Sequence, residues 1–325
     1  MFSFEQILQI VESHIERIEY DRRPQSLYLP VKYILSLGGK RIRPALMLMA
    51  CNLYSEEIEK AIQPAIGMEI FHNFTLLHDD LMDEADKRRN QLTVHKKWNA
   101  NTAILSGDAM LILAYQFIGD TEPPSVLQSI LRIFTRTALE ICEGQQFDMD
   151  FEQRLDVTEE EYMEMIRLKT AVLIACCLQS GAIIGGASNE DAQKLYQAGI
   201  YTGLAFQLQD DLLDTFGDPR TFGKNIGGDI LCNKKTFLHL QMMKRASEKQ
   251  KAHIRTIQSD NQCRPEEKIA AIKSIYESLG VREITNDRIQ HYYNRAMQEL
   301  AGLSLPAGHL QMFYSAINLL LGRQS

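Results

Sequence analysis

The stretch LLHDDLMDEADKRRN, from Leu76 to Asn90, joins an apolar helical run to five acidic residues and then to a block of basic residues. Asp79 and Asp83 are four residues apart, so on a helix both project from one face and repel each other unless something separates them. A solvated helix face mixes its charges, whereas here one block of charge follows another. The stretch is therefore either an ordinary helix end or a binding site for something doubly charged.

A second cluster with the same D-D-x-x-D spacing occurs later in the chain, in FQLQDDLLDTFGD. One such motif alone would favour a solvated helix end, because short motifs recur by chance. Neither cluster has the alternating ligands and central Gly of a calcium-binding EF-hand loop, whereas Mg²⁺ takes one or two carboxylates and shares its other positions with substrate phosphates. Two clusters, both flanked by basic residues, predict Mg²⁺ ions that bind a polyphosphate. Their six aspartates are Asp79, Asp80, Asp83, Asp210, Asp211 and Asp214.

Basic residues form a second pattern. GGKRIRP, from Gly38 to Pro44, begins with a glycine turn and leads into a helix, which is a natural site for an anion. Each of these cations, taken singly, could be a scattered surface residue. Together they exceed what one phosphate ester needs, and we expect two separate diphosphates. The basic residues in question are Lys40, Arg41, Arg43, Arg88, Arg89, Lys169, Lys224 and Lys234.

Composition excludes several classes of protein. The 325-residue chain is 45% hydrophobic and carries a net charge of −7, which argues against non-specific binding of nucleic acid or anionic membranes. Its six cysteines show no C-x-x-C spacing and are interpreted as reduced thiols of a cytoplasmic protein. The N-terminus lacks the pattern of a signal peptide, and no uncharged apolar stretch is long enough to predict a transmembrane segment.

Apolar residues recur at helical spacing along most of the chain, and alternation with period two is nearly absent, so we predict an all-α fold with little or no sheet. No linker divides the chain, and we expect residues 1–325 to form one domain, a single large helical bundle around a central cavity. Segments 98–117 and 171–186 are apolar on more than one face and are expected inside it. Pro64 is expected to break or kink a helix. The predicted helices are 4–18, 42–54, 65–82, 98–117, 125–147, 159–185, 190–216, 236–257, 266–278, 282–301 and 308–321.

In these motifs the chain resembles the trans-isoprenyl diphosphate synthases, or polyprenyl synthetases, especially short-chain members such as geranylgeranyl or farnesyl diphosphate synthase. GGKRIRP matches the family's G-G-K-R-x-R-P, LLHDDLMDEADKRR its first aspartate-rich motif, and SGDAML its G-D motif. GQQFD, LKTAVL, FQLQDDLLD and GKNIGGDILCNKKT match further motifs in the family's order. Asn90 and Asn233 depart from the pattern, because the family usually has Gly at both places.

The resemblance implies a fold of the isoprenoid synthase type, a homodimer, and transfer of an allylic prenyl group to isopentenyl diphosphate with three Mg²⁺ ions when substrate is bound. It makes Asp79, Asp83 and Asp210 the metal ligands, supported by the other three aspartates. The allylic diphosphate would be bound by Arg88, Lys169, Thr170, Gln207, Lys224 and Lys234. Isopentenyl diphosphate would be bound by Lys40, Arg43, His72 and Arg89.

The same resemblance implies catalytic roles for Lys169, Thr170 and Gln207, the last two by aiming oxygen dipoles at the developing cation. We further expect the two acidic clusters to face each other across one cavity. No Ser/His/Asp or reactive-cysteine pattern is present, and none is needed when the leaving group is a diphosphate.

The resemblance implies that product length depends on residues upstream of Asp79. Helical-wheel angle alone favours Thr75, whereas the resemblance favours Phe74, with Phe71 behind it, as the floor of the chain pocket. An aromatic residue followed by a small one is typical of C20 products in the family, so C20 is favoured, C15 is next and longer chains are third.

Two alternatives stay open. A terpene cyclase or a squalene-type synthase of the same fold would not need the site predicted around GGKRIRP. A non-catalytic partner subunit of a heteromeric prenyl synthase would be expected to lack one acidic cluster or the K-T pair of LKTAVL, Lys169-Thr170. Both acidic clusters and the K-T pair are intact here.

Overall fold

A computed structural model describes residues 2–217, 226–260 and 262–321, and these residues are helical almost throughout. The only strands in the described ranges form a two-residue hairpin, β1 (Lys87–Arg88) and β2 (Gln91–Leu92). A 3₁₀ turn covers Ile58–Ala61 and a π-helical turn covers Arg167–Ala171. The predicted all-α class is confirmed. The α-helices are α1 (Phe4–Glu16), α2 (Gln25–Ser36), α3 (Ile42–Asn52), α4 (Ile62–Met82), α5 (Val94–Lys97), α6 (Ala100–Gly119), α7 (Pro124–Gln153), α8 (Glu159–Ile166), α9 (Val172–Gly185), α10 (Asn189–Phe216), α11 (Gly228–Leu231), α12 (Phe237–Arg245), α13 (Glu248–Ser259), α14 (Pro265–Ser278), α15 (Val281–Ala301) and α16 (Ala307–Leu321).

The chain forms two compact units. Unit 1 comprises residues 1–135, 176–196 and 303–316, and unit 2 comprises residues 136–175, 197–302 and 317–325. Unit 1 therefore contains the first acidic cluster and GGKRIRP, and unit 2 contains the second acidic cluster with the K-T pair. That the whole chain is one domain stays a prediction.

Local capping explains where several helices begin. Ser3, Thr158 and Ser247 each accept a hydrogen bond from the backbone three residues on, and a Gln or Glu side chain at that position returns one. The prediction of one continuous helix over 236–257 was wrong. The segment is two helices, α12 and α13, because Ala246 is extended and Ser247 starts a new capping box with Gln250.

The expected break at Pro64 lies slightly earlier than the proline. α4 begins at Ile62, so Pro64 sits in the first turn, where its missing N–H would have no partner within the helix anyway. The preceding 3₁₀ turn ends at Ala61, and α4 then continues to Met82. Helix α2, which contains Pro30, was not predicted from the sequence.

The expectation that both doubly apolar segments are interior was correct for one and wrong for the other. The helical segment from α8 to α9 is long and apolar enough to cross a membrane, but 78% of its most apolar window is buried inside the protein. α6 passes the same test of length and composition, but only 33% of its window is buried. Leu105 and Ile112 of α6 are 60% and 69% exposed, so this helix presents an apolar face at the surface of the chain.

The end of α10 is fixed by a hydrophobic cluster within unit 2. Leu212 packs with Ile230, Leu238 and Met242, and further apolar residues of α13, α14 and α15 complete the cluster. Leu212 and Leu213 are buried between the aspartates of the second acidic motif. The apolar residues of DDLLD thus anchor the turn of helix from which its carboxylates project.

Candidate active site

A group of cations lies around the end of the glycine turn in unit 1. The Nη1 of Arg43 lies 3.0 Å from Nε2 of His72, where α3 and α4 meet. Burial, followed by the charges of Arg43 and Arg89, lowers the pKa of His72 well below its usual value. His72 is therefore neutral and accepts a hydrogen bond from Arg43. The Nε of Arg43 is buried and has no hydrogen-bond partner in the described structure, an arrangement that is costly unless an anion completes it.

Arg41, between the two predicted binding residues of GGKRIRP, has a different environment. It is 4% exposed and forms ion pairs with Glu69 at 2.8 Å and Glu12 at 3.1 Å. It also donates to the carbonyl of Leu35 at 2.7 Å. The charge of Arg41 is thus compensated inside the protein, and its structural role is to anchor the turn that carries Lys40 and Arg43.

The β1–β2 hairpin brings Arg89 to the same turn. Arg88 pairs with Gln91, so Arg89 and Asn90 are the two central turn residues, with φ of 51° and 63°. A two-residue turn of this kind needs positive φ at both positions, and Asn tolerates this conformation better than most residues. Asn90 can therefore replace the family's Gly. The guanidinium of Arg89 lies against Gly39, where an added Cβ would approach its Nη2 to 2.8 Å.

Within the first acidic cluster, Asp80 is bound by protein. It is 4% exposed, and Arg88 binds both of its carboxylate oxygens. Nε of Arg88 donates to Oδ2 at 2.8 Å, and Nη2 lies 2.7 Å from Oδ1. Burial raises the pKa of Asp80 despite the opposing effect of Arg88. Asp80 and Arg88, predicted to bind metal and diphosphate respectively, form a planar two-point pair. Asp80 thereby orients Arg88.

In unit 2 the second acidic cluster is also tied to protein groups. Asp211 is 6% exposed and receives hydrogen bonds from Gln207 Nε2, at 3.0 Å, and from the hydroxyl of Tyr162. Burial, followed by the negative charge of Asp229, raises the pKa of Asp211. Asp214 accepts the backbone N–H of Asp229 at 3.0 Å. The last two turns of α10 therefore carry carboxylates that are oriented by Tyr162 of α8 and by the start of α11.

Asp148 connects two of the predicted diphosphate-binding lysines. Its Oδ2 lies 2.6 Å from Nζ of Lys169 and 3.4 Å from Nζ of Lys234. Burial opposes ionisation of Asp148, but the charges of Lys234 and Lys169 outweigh it and its pKa is lowered. The next lysine, Lys235, instead donates to the carbonyl of Glu152, so Lys234 is the one of the pair that joins this cluster.

The K-T pair interrupts the regular geometry of the predicted helix 159–185. Lys169 and Thr170 lie in the π-helical turn that joins α8 to α9. Such turns insert one residue into a helix and often occur at functional sites. The Thr170 hydroxyl donates to Gln207 Oε1 at 2.9 Å, so the side-chain oxygen of Gln207 is already an acceptor within the protein.

A glycine of GQQFD permits this arrangement. A Cβ on Gly144 would lie 2.4 Å from the backbone nitrogen of Lys169 and 2.8 Å from the carbonyl carbon of Leu168. Those atoms belong to the backbone of the π turn and cannot move aside as a flexible side chain would. Gly144 therefore lets α7, which carries Asp148, approach the K-T pair closely.

The donors fit Mg²⁺ in chemical type, because both acidic motifs offer carboxylate oxygens. In the part of the chain that the structure describes, no three Asp, Glu, His or Cys residues are grouped so that they could hold a metal ion by themselves. Mg²⁺ commonly takes one or two carboxylates and completes its octahedron with water and substrate phosphates. The residues are therefore suited to an ion that binds together with a diphosphate.

The sequence matches the polyprenyl synthetase family model over residues 24–279. The chain belongs to the polyprenyl synthetase family. It is 40% identical over 230 residues to a geranylgeranyl diphosphate synthase of Methanosarcina mazei, which is 70% of this chain and 71% of that protein. The fold is similar to that in a crystal structure of geranylgeranyl pyrophosphate synthase, with a TM-score of 0.94, 43% identity and full coverage of both chains. A polyprenyl synthase of Caulobacter crescentus, crystallised with calcium and isoprenyl diphosphate, is 25% identical, with a TM-score of 0.86 over 99% of this chain and 95% of that one.

Membership of the polyprenyl synthetases confirms the resemblance seen in the motifs. Within unit 1 the structure brings together Arg43, His72 and Arg89, and within unit 2 it joins Lys169, Lys234 and the Thr170–Gln207 pair. Lys224 lies outside the described residues. The expectation that the two acidic clusters face each other stays a prediction.

Three polar residues of the candidate site had no role assigned from the sequence. Asp148 could have been suspected because it is the acidic residue of the GQQFD motif. Asp229 occurs in GKNIGGD, where only the lysine was singled out. Tyr162 gave no local signal, because its contact with Asp211 joins residues 49 positions apart.

We expect Gly144→Ala to lower kcat about tenfold or more while destabilising the fold by about 1–3 kcal/mol, because the added methyl overpacks the π turn and displaces Lys169. Steady-state kinetics and urea unfolding measure the two effects. Gly119→Ala is the matched control, since nothing lies within 4 Å of a Cβ at that helix end. Wild-type kcat in a folded Gly144→Ala enzyme would contradict the assigned role of this contact.

Proposed function

We propose that this chain is a Mg²⁺-dependent prenyltransferase that condenses isopentenyl diphosphate with an allylic diphosphate to give a short all-trans prenyl diphosphate, with C20 favoured. The observation that supports this most strongly is the cation group, Arg43 and Arg89 with the neutral His72 beside them, in the same unit as the first acidic motif. One unit thus offers a diphosphate site made of cations as well as carboxylates suited to metal. An enzyme that condenses two substrates, each of which carries a diphosphate, needs both kinds of site.

The cation group suits the diphosphate of isopentenyl diphosphate, which would bind without metal. Neutral His72 supplies one ring N–H donor, and Arg43 retains a buried Nε–H with no protein acceptor in the described structure. Desolvation and the nearby charge of Arg41 lower the pKa of Arg89. A diphosphate relieves the mutual repulsion of these cations and satisfies their donors. Lys40, exposed on the same turn, adds a further positive charge.

The acidic motifs and the lysines suit the leaving diphosphate of the allylic substrate. When bound, Mg²⁺ would supply positive charge that stabilises this diphosphate as the allylic C–O bond breaks. Asp79, Asp83 and Asp210 are the proposed ligands. Lys169 and Lys234 add charge to the same group, and Asp148 limits where they can move. The Caulobacter crescentus relative, which carries calcium and isoprenyl diphosphate, supports a divalent ion in this family.

The chain's remaining tasks are to position the isopentenyl double bond and to keep water from the carbocation. No protein nucleophile takes part in this mechanism. Burial raises the pKa of the Cys177 thiol well above its usual value, which suits an inert packing residue.

An aromatic series on α4 supports the proposed product length. The Phe74 ring lies 5.5 Å from Phe71 and 4.8 Å from His78, and Phe71 lies 5.0 Å from Phe134. Phe74 is half-buried, whereas Phe71 and Phe134 are fully buried behind it. Phe74 is thus the exposed member of a packed aromatic wall. Thr75 donates its hydroxyl to the carbonyl of His72 at 2.8 Å and leaves more room than an aromatic residue would.

The same observations bear on the alternatives. A cyclase of this fold has no need for the cation group of Arg43 and Arg89 with neutral His72. A non-catalytic subunit has no need for the Lys169–Asp148–Lys234 cluster or for two complete acidic motifs.

We also propose that the enzyme is a cytoplasmic homodimer. The exposed apolar face of α6 includes Ile104, Leu105 and Ile112, at 46%, 60% and 69% exposure. Burial of such a face against a second copy would remove apolar area from water, which stabilises association. The cytoplasmic assignment rests on the six cysteines, which are all free thiols.

Incubation with Mg²⁺, isopentenyl diphosphate and a series of allylic primers tests the function, with a C20 product expected and no condensation contradicting it. Arg43→Ala or Lys40→Ala should raise the KM for isopentenyl diphosphate, by about tenfold or more where a charged hydrogen bond is lost. Asp79→Ala or Asp210→Ala should instead lower kcat, about a hundredfold or more, because metal contacts strengthen as charge develops. If Lys40→Ala impaired only the allylic substrate, the assignment of the two sites would be wrong.

Product length is tested by two opposite substitutions. Phe74→Ala removes the exposed ring of the aromatic wall and should shift the product beyond C20. Thr75→Phe adds a second ring and should shorten the product to C15. Chromatography of the dephosphorylated products measures the lengths. A stable, active Phe74→Ala enzyme with an unchanged product would place the floor on another helix.

The dimer is tested at α6. Ile112→Glu should yield monomer by size-exclusion chromatography with light scattering, because a charge cannot be buried in an apolar interface without a partner. Gln128→Glu, on the exposed surface of α7, is the control for added charge. An Ile112→Glu protein that stays dimeric would show that this face is not the interface.

A further inference from the structure

Tyr162 of α8 is the largest fully buried side chain among the described residues, with 1% exposure. Its hydroxyl nonetheless has a polar partner, because it donates to Oδ2 of Asp211, the second acid of DDLLD. A phenylalanine would fill the same space. The hydroxyl therefore has a role that packing alone does not require.

The Asp211 carboxylate is bound on both oxygens by neutral donors. Gln207 Nε2 donates to Oδ1 at 3.0 Å, and Tyr162 donates to Oδ2. Gln207 is itself oriented, because its Oε1 accepts the hydroxyl of Thr170 at 2.9 Å. The four residues form one continuous chain of hydrogen bonds, in which each donor fixes the orientation of the next group.

This chain joins two helical segments at two points. Tyr162 and Thr170 belong to the continuous segment of α8, the π turn and α9, while Gln207 and Asp211 lie on α10. One contact therefore lies on each side of Lys169 along the first segment. On the second, the Asp211 contact adjoins Asp210, the proposed metal ligand. The relative position of Lys169 and Asp210 depends on both contacts.

The charge balance explains why a phenol is suited to this place. Asp211 lies near Asp229, and its neighbours in the motif are also acids. A cationic partner would neutralise charge that the motif needs to attract Mg²⁺. Tyr162 satisfies a buried oxygen of Asp211 without placing a positive charge beside Asp210, the proposed metal ligand.

From this geometry we propose that Tyr162 is a positioning residue: through Asp211 it fixes the part of α10 that carries DDLLD, so that the second acidic motif meets the Mg²⁺–diphosphate complex in a competent arrangement. The proposal rests on the proposed function of the site. Tyr162 itself touches neither substrate nor metal.

The test is Tyr162→Phe, which removes one oxygen and retains the buried ring. Partners that orient a metal ligand typically change metal affinity or activity about 10–100-fold when lost, so we expect kcat to fall and the Mg²⁺ concentration for half-maximal rate to rise by about tenfold or more. The KM for isopentenyl diphosphate should not change, because its proposed site lies on unit 1. Tyr293→Phe is the control, since it removes a 2.7 Å hydrogen bond to Asn318 within the same unit and involves no acid.

A binding measurement separates this proposal from the proposed function. The thermal stabilisation of unloaded enzyme by Mg²⁺ with inorganic pyrophosphate should be smaller for Tyr162→Phe than for wild type and for Tyr293→Phe. Equal stabilisation of wild type and Tyr162→Phe would overturn the positioning role. Failure of wild type to condense the substrates would overturn the proposed function, whatever the outcome for Tyr162.

A double substitution shows whether Tyr162 acts through Asp211. If it does, adding Tyr162→Phe to an Asp211→Ala enzyme should cause little further loss of kcat, because the partner is already absent. An additive loss in the double variant would mean that Tyr162 acts by another route and would overturn the proposal. Unfolding midpoints of the single and double variants confirm that the compared proteins are folded.

Discussion

Crowding of like charges in partly buried surroundings is the constraint on which the candidate site depends. Acids spaced for metal, or cations spaced for a diphosphate, destabilise the protein that carries them unless other groups orient and compensate some of them. The structure meets this need within each unit. Glu69 and Glu12 compensate Arg41, Arg88 binds Asp80, and Asp148 lies between two lysines.

The pattern of compensation differs along each acidic motif. The middle acids, Asp80 and Asp211, are the most buried of their motifs and have their oxygens bound by named protein donors. Asp80 receives a cation, and Asp211 receives neutral donors. The two motifs have the same spacing in the sequence, but their middle residues have different partners: Asp80 orients an arginine that we propose binds diphosphate, and Asp211 is the residue through which we propose that Tyr162 acts.

Irregular backbone is concentrated where these groups must converge. The π turn contains Lys169 and Thr170. Arg89 itself has a left-handed backbone, and so does Asn233, the residue before Lys234. Asn90 and Asn233, at φ of 63° and 53°, occupy the places where relatives of this family usually have Gly. Asn adopts positive φ at lower cost than other residues with a side chain, so both departures preserve the local backbone. Both positions therefore adopt a left-handed backbone without glycine.

The sequence alone determined the fold class, the two acidic motifs and most of the cations, because helical periodicity and motif spacing are local properties that tertiary packing does not alter. It did not determine that α6 is exposed, because a helix apolar on several faces has the same pattern whether its partner is the same chain or another. It also did not predict the hydrogen bond of Tyr162 to Asp211 or the ion pairs of Asp148 with Lys169 and Lys234. Those pairs are far apart in sequence, and only the tertiary packing within unit 2 brings their side chains close together.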